Sequence, residues 1–127
     1  RTHADFQADI TRLAAWLHAH GFDPWRVVWR TNTAYPFRRG DWVTHTADKR
    51  TNPKLALLNA LGTRAFQAQN FTHALDSFAW SLPRIDEPPD KAHFMRVDQG
   101  RLLSAVSHAD LAVLLTMLCG RQARAGQ

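Results

Sequence analysis

Aromatic and cationic side chains interleave within residues 25–42 of this chain. Aromatic faces stack on nucleobases and guanidinium groups bind phosphate, so the pattern predicts contacts with a nucleic-acid strand. The same side chains also fill protein cores, where an Arg can lie over a Trp ring. Both interpretations stay open at the level of sequence. The residues concerned are Trp25, Arg26, Trp29, Arg30, Arg38, Arg39 and Trp42.

A histidine with hydroxyl and cationic neighbours follows this segment. His45 lies between Thr44 and Thr46, shortly after Arg38 and Arg39. A His can act as a general acid or base, and an Arg can stabilise the charge of a phosphate in the transition state. A small metal-independent ribonuclease or toxin is therefore one hypothesis, with His45 as its catalytic candidate.

The sequence lacks the other patterns that usually carry chemistry. Its single cysteine, Cys119, excludes an internal disulfide and a multi-thiolate metal site. His18 and His20 are two positions apart, whereas neighbours on one helix face are three or four apart. No HExxH motif, Gly-rich phosphate loop or GxSxG elbow is present. We expect no metal and no cofactor, and we favour a non-catalytic protein over an enzyme.

The composition is that of one basic globular domain. The chain has 127 residues, of which 45% are hydrophobic, and a formal net charge of +5. The hydrophobic content is sufficient to form a core, and the positive net charge attracts anionic partners. No run of 18 apolar residues and no signal peptide is visible, so we expect a cytoplasmic protein without a membrane span.

The elements that position these residues begin with a helix over residues 1–21. Thr2 and Asp5 form the pattern of a capping box, and Gly21 is a typical stop. Residues 24–46 contain two β-prone runs separated by turn-forming residues, which predicts a β-hairpin. Helices are expected within 93–119, with Ser107 and Asp110 as a second capping box, and residues 120–127 form a tail.

Residues 53–82 carry small and aromatic residues at spacings that predict two antiparallel helices. Asn52 and Pro53 open the first helix, and Asn70 or Thr72 opens the second. Gly62 and Ala74 are small where the two helices would approach each other closely. The expected packing residues are Leu58, Leu61, Gly62, Phe66, Phe71, Ala74 and Phe78.

These residues resemble one tetratricopeptide repeat, a helix–turn–helix unit. The resemblance covers about 25 residues. It departs from the family at Leu58, where the favoured residue is Trp, and at Ser81, where a small apolar residue is expected. Because such repeats build protein-binding scaffolds, the resemblance implies a protein partner.

The predicted fold is therefore one α+β domain, mostly α, with four to five helices. A β-hairpin is inserted between the first helix and the repeat-like helical hairpin. The favoured function is a non-catalytic protein-interaction module that acts through residues 53–82. Nucleic-acid binding by residues 25–42 is the alternative, and the ribonuclease or toxin is the third hypothesis.

Overall fold

The computed structural model describes residues 2–35, 51–85, 94, 97–98, 101–102 and 104–119. Within these residues four α-helices are joined by short strands and one 3₁₀ turn, so the predicted class, mostly α with some β, is confirmed. None of the helices described is both long and apolar enough to cross a membrane.

Helix α1 (His3–Ala19) begins and ends as the sequence predicts. The Thr2 hydroxyl accepts a hydrogen bond from the Asp5 N–H, and the Asp5 carboxylate accepts one from the Thr2 N–H. Gly21 has a φ of 71°, and the chain turns through it with the Phe22 N–H bonded to the Leu17 carbonyl. This is a Schellman motif, in which a glycine adopts the left-handed conformation at little cost.

Helix α2 (Asn52–Ala68) and its N-cap each lie one residue earlier than expected. Thr51 is the N-cap and accepts a hydrogen bond from the Lys54 N–H. Asn52 is already helical, which releases its carboxamide for another contact. Asn70, expected to open a second helix, instead ends α2 in the left-handed conformation with a φ of 65°. The Phe71 N–H bonds to the Phe66 carbonyl and completes a second Schellman motif.

Two short strands, one before α2 in the chain and one after it, pair with each other in parallel. Strand β1 (Trp29–Arg30) aligns with β2 (Ala74–Leu75), Trp29 opposite Ala74. The pairing makes β1, α2 and β2 a βαβ unit, because parallel strands need a long crossover connection. The predicted hairpin over 24–46 therefore supplies one strand whose partner lies elsewhere, and its second half falls outside the described residues.

The second helix of the predicted helical hairpin is much shorter than expected. Residues 70–76 are not helical, because Ala74 and Leu75 pair with β1 instead. Asp76 then caps α3 (Ser77–Ser81) by accepting a hydrogen bond from the Ala79 N–H, and a 3₁₀ turn (Leu82–Arg84) follows. The expected helix over 70–82 is thus wrong for its first half.

The C-terminal part of the chain differs from the sequence-based prediction in two details. Strands β3 (Val97–Asp98) and β4 (Arg101–Leu102) pair antiparallel where we expected a helix. Helix α4 (Ala105–Cys119) starts earlier than the predicted capping box, because the Ser104 hydroxyl accepts from the Ser107 N–H. Asp110 is therefore not a capping residue.

The helices form layers on both faces of the parallel pair. Adjacent strand residues point to opposite faces. Trp29 points to α2 and stacks on Phe66 at 5.0 Å, whereas Arg30 points to α4 and bonds to Asp110. The core lies on the α2 face, where α1 joins it through Ile10 and Ala14. Its other buried members are Ala65, Phe66 and Phe71.

Candidate binding groove beside strand β2

An extended segment, residues 31–35, is clamped onto α2 by two asparagines seven residues apart. The Asn59 carboxamide accepts from the Asn32 N–H at 2.9 Å and donates to the Asn32 carbonyl at 3.1 Å. The Asn52 carboxamide contacts both polar backbone groups of Tyr35 in the same way. Each carboxamide therefore replaces a neighbouring strand and satisfies backbone groups that burial would leave unpaired.

A second set of hydrogen bonds ties the segment to α3. The Thr31 N–H donates to the Leu75 carbonyl at 3.0 Å, and the Phe78 N–H donates to the Thr31 hydroxyl at 3.0 Å. The Ala34 N–H donates to the hydroxyl of Ser81, which is fully buried. The ends of both parallel strands are thus held rigidly against the start of α3.

A groove of about 550 Å³ lies between α2 and the chain from β2 to α3. Its helical side is formed by small side chains, Ala56, Ala60 and Thr63, and Phe78 lies opposite them. Ala74 of β2 and Asp76 also line it, and Asn59 and Thr31 are shared with the clamp. The groove remains open because the residues on this side of α2 are too small to reach β2.

Arg64 is the cation of the groove. Its side chain is exposed, and it has no ion-pair partner within the part of the chain that the structure describes. Asp76 lies elsewhere on the groove wall, and its carboxylate accepts hydrogen bonds from the Thr31 hydroxyl and the Ala79 N–H. The groove therefore carries one carboxylate, which is hydrogen-bonded, and one guanidinium, that of Arg64, for which the described residues supply no partner.

Among the described residues, none pairs with the edge of β2 that faces away from β1. The Trp29 N–H donates to the His73 carbonyl, and the Thr31 N–H donates to the Leu75 carbonyl. In a parallel pair the residue between these two acceptors directs its own N–H and C=O the opposite way. Ala74 therefore points its backbone donor and acceptor away from β1.

The other side of α2 is closed by close packing. A Cβ atom built on Gly62 would overlap Cζ2 of the Trp29 indole and lie 2.8 Å from Cε2. Gly62 is thus needed for a close approach, as predicted, but its neighbour is Trp29 rather than Ala74. The indole Nε1 is buried and has no hydrogen-bond partner among the described residues.

Sequence reasoning missed a polar cluster that holds α4 in place. The Asp110 carboxylate accepts hydrogen bonds from the Arg30 guanidinium at 2.6 Å, the Ser77 hydroxyl at 2.6 Å and the Trp80 Nε1 at 2.8 Å. Ser77 is fully buried, so the cluster connects elements and presents no nucleophile. The signal available in the sequence was Asp110, the one acidic residue in the sequence of α4.

The four residues predicted for nucleic-acid binding that the structure describes do not form one surface. Trp25 is 57% exposed, and the Arg26 side chain is exposed beside Asp23 at 3.9 Å. Trp29 packs against Phe66 and Arg30 bonds to Asp110, so both have structural roles. The predicted positions that fall outside the described residues are Arg38, Arg39, Trp42 and His45.

The predicted packing residues fall into three groups. Gly62, Phe66 and Phe71 lie on the closed side of α2 and are buried. Ala74 and Phe78 line the groove, and Leu58 and Leu61 line separate surface depressions on the side facing α1. The set therefore surrounds α2 and does not lie between two helices.

Neither a metal-binding cluster among the described residues nor a known relative indicates a chemistry for this chain. Among the residues that the structure describes, no three His, Cys, Asp or Glu side chains lie close enough together to hold a metal ion. Comparisons of the chain with protein-family models, curated proteins and solved structures gave no match. The tetratricopeptide resemblance therefore stays a prediction, and the case for a function depends on the groove.

Proposed function

We propose that this domain is a non-catalytic protein-interaction module that binds a partner polypeptide in the groove between α2 and the β2–α3 chain. The observation that carries the proposal is an open wall of small side chains on α2 beside an unpaired strand edge. Binding grooves for peptides commonly combine these two features. Apart from Thr31, the residues that line the groove belong to the range 53–82, through which the sequence analysis expected the partner to bind. We retain the expected cytoplasmic location as part of the proposal.

The groove is built as a rigid receptor. The asparagine clamps and the buried Ser81 contact fix its floor before any partner arrives. A site that is already ordered costs less conformational entropy on binding than one that must fold around its ligand. The described residues that line the groove include no histidine or cysteine, so they offer neither of these two side chains as a general base or nucleophile.

Nucleic-acid binding has weaker support. Trp29 packs against Phe66, and the half-exposed Arg30 guanidinium is bonded to Asp110, which leaves Trp25 and Arg26 as the other members of the described part of that segment. Two residues supply little of the continuous basic surface that phosphate binding needs.

The test is a pull-down from nuclease-treated extract with the 127-residue chain and two variants. Ala60→Arg fills the groove, and Ala15→Arg places the same side chain at an exposed position of α1. We expect a protein partner that the wild type and Ala15→Arg retain and that Ala60→Arg loses. A partner that Ala60→Arg retains, or binding that disappears with nuclease, would overturn the proposal.

A further inference from the structure

We infer that the partner binds as an extended strand added to the free edge of β2, with an acidic side chain directed at Arg64. The inference rests on the proposed function and specifies the chemistry of its partner. It combines three observations: the outward backbone groups of Ala74, the dimensions of the groove and the unpaired guanidinium.

The backbone of β2 determines the shape of the partner. Ala74 presents one N–H and one C=O away from β1, and an extended peptide offers the complementary pair at each second residue. A helix has no free backbone groups along its length, so it satisfies neither. The β1 edge is less accessible, because the Asn59 carboxamide already occupies the backbone groups of Asn32.

The length of the groove fits a short strand. The groove wall on α2 runs from Ala56 to Arg64. At 1.5 Å per residue this wall is about 12 Å long. A strand rises about 3.3 Å per residue, so about four residues match the wall, and two of them direct their side chains to α2.

The chemistry of the walls selects those two side chains. Ala56 and Ala60 leave room for a β-branched apolar residue, since neither has a side chain beyond Cβ. At the other end Arg64 favours a carboxylate, which a guanidinium binds through two parallel N–H···O bonds. The basic net charge of the chain attracts the same acidic partner over longer distances.

The experiment measures binding of one defined probe to the 127-residue chain by calorimetry. The probe is acetyl-Thr-Val-Thr-Val-Thr-Glu-Thr-amide, which places Val and Glu on one face. Two derivatives carry N-methyl groups either on the even-numbered or on the odd-numbered residues. Only one set of N–H groups can face β2, so we expect one derivative to bind at least tenfold more weakly than the other. Equal affinities for the two derivatives, or no probe binding at millimolar concentration, would overturn the inference.

The charge is tested with Arg64→Glu and a matched control. Arg64→Glu should weaken the probe about tenfold, and replacing the probe's Glu with Lys should restore the affinity. Lys54→Glu makes a similar change of charge on the same helix but outside the groove, and it should leave affinity within about twofold. An Arg64→Glu variant that binds the original probe as tightly as wild type contradicts the acidic assignment.

These outcomes separate the two proposals. A protein partner that depends on Ala60, together with equal binding of both N-methylated probes, leaves the interaction module standing and removes strand addition. A protein partner that the Ala60→Arg variant still binds would contradict the proposed interaction module itself.

Discussion

The two sides of α2 differ in how closely they pack against the rest of the domain. On the closed side Gly62 admits the Trp29 ring, and aromatic residues fill the space up to α1. On the open side alanine and threonine leave a groove that nothing in the described residues fills. The difference lies in what the small residues face: a small residue opposite an indole closes an interface, whereas small residues opposite a short strand leave it open.

The comparison also separates stability from binding. Apolar burial on the closed side stabilises the fold, at about 25 cal/mol per Å² removed from water. The open side buries little and leaves polar backbone available, which is what a binding surface needs.

Phe71→Ala should have the largest effect on stability. Phe71 is 1% exposed and contacts Phe66 with a ring-centroid distance of 5.9 Å. Truncation leaves a cavity, and we expect a loss of about 3–5 kcal/mol in the free energy of unfolding. The control is Phe22→Ala, which follows the other Schellman motif but is 46% exposed. Similar losses in urea denaturation for both variants would contradict a core confined to the closed side.

Gly62→Leu should destabilise the fold by about 3 kcal/mol, because its side chain must displace the Trp29 indole. Ala68→Leu, at an exposed position of the same helix, should leave stability nearly unchanged. Combining Gly62→Leu with Trp29→Ala should recover part of the loss. Additive losses in the double variant would show that the two residues do not share one contact.

Asn59→Ala should cost about 1–3 kcal/mol, because it leaves the Asn32 N–H and C=O without their partner. The control is Gln67→Ala, an exposed position on the same helix. Amide hydrogen exchange provides a local measurement, since exchange at Asn32 should accelerate. Unchanged protection there would mean that the clamp does not hold the groove floor.

Ala60→Arg should change the free energy of unfolding by less than about 0.5 kcal/mol, since the residue is exposed. The same variant should lose its partner. We therefore expect thermal unfolding to show almost unchanged stability for this variant, whereas the pull-down should show loss of the partner. A large loss of stability would place Ala60 on the closed side.

The smallest effect concerns the start of α1, away from both sides of α2. Hydrogen bonds from the Thr2 backbone and side chain lower the pKa of Asp5. A depressed pKa in the folded state means that the carboxylate stabilises the fold above its unfolded pKa, and that this contribution is lost as pH falls through the folded pKa. Asp5→Ala should therefore be less stable than wild type at neutral pH and equal to it in strong acid. A stability difference that does not change with pH would contradict the assignment.

Elements defined by local signals were predictable. The capping box of Thr2 and Asp5 and the stop at Gly21 set the limits of α1, and the observed helix follows them. The prediction for residues 70–82 was wrong at its start because Asn70 serves equally well as a helix cap or as a left-handed stop. The choice depends on β1, to which the following residues pair.

The polar contacts of the site were not predictable for a similar reason. Asp110 bonds to Arg30 across 80 residues, and Thr31 bonds to Leu75 across 44. Helix caps and hydrophobic periodicity relate residues that are only a few positions apart in the chain. From such local patterns we predicted Asp110 as a capping residue and Arg30 as a contact for an external ligand.

The local sequence was enough to specify where the long helices form and that Gly62 has a close neighbour. Helix caps depend on hydrogen bonds between residues about four positions apart, so the local sequence is sufficient to specify them. Only the tertiary structure decided that this neighbour is Trp29, that β1 pairs in parallel with β2, and that one side of α2 stays open. These features arise from burial and backbone pairing between distant segments, and which segments meet is fixed only when the whole chain packs.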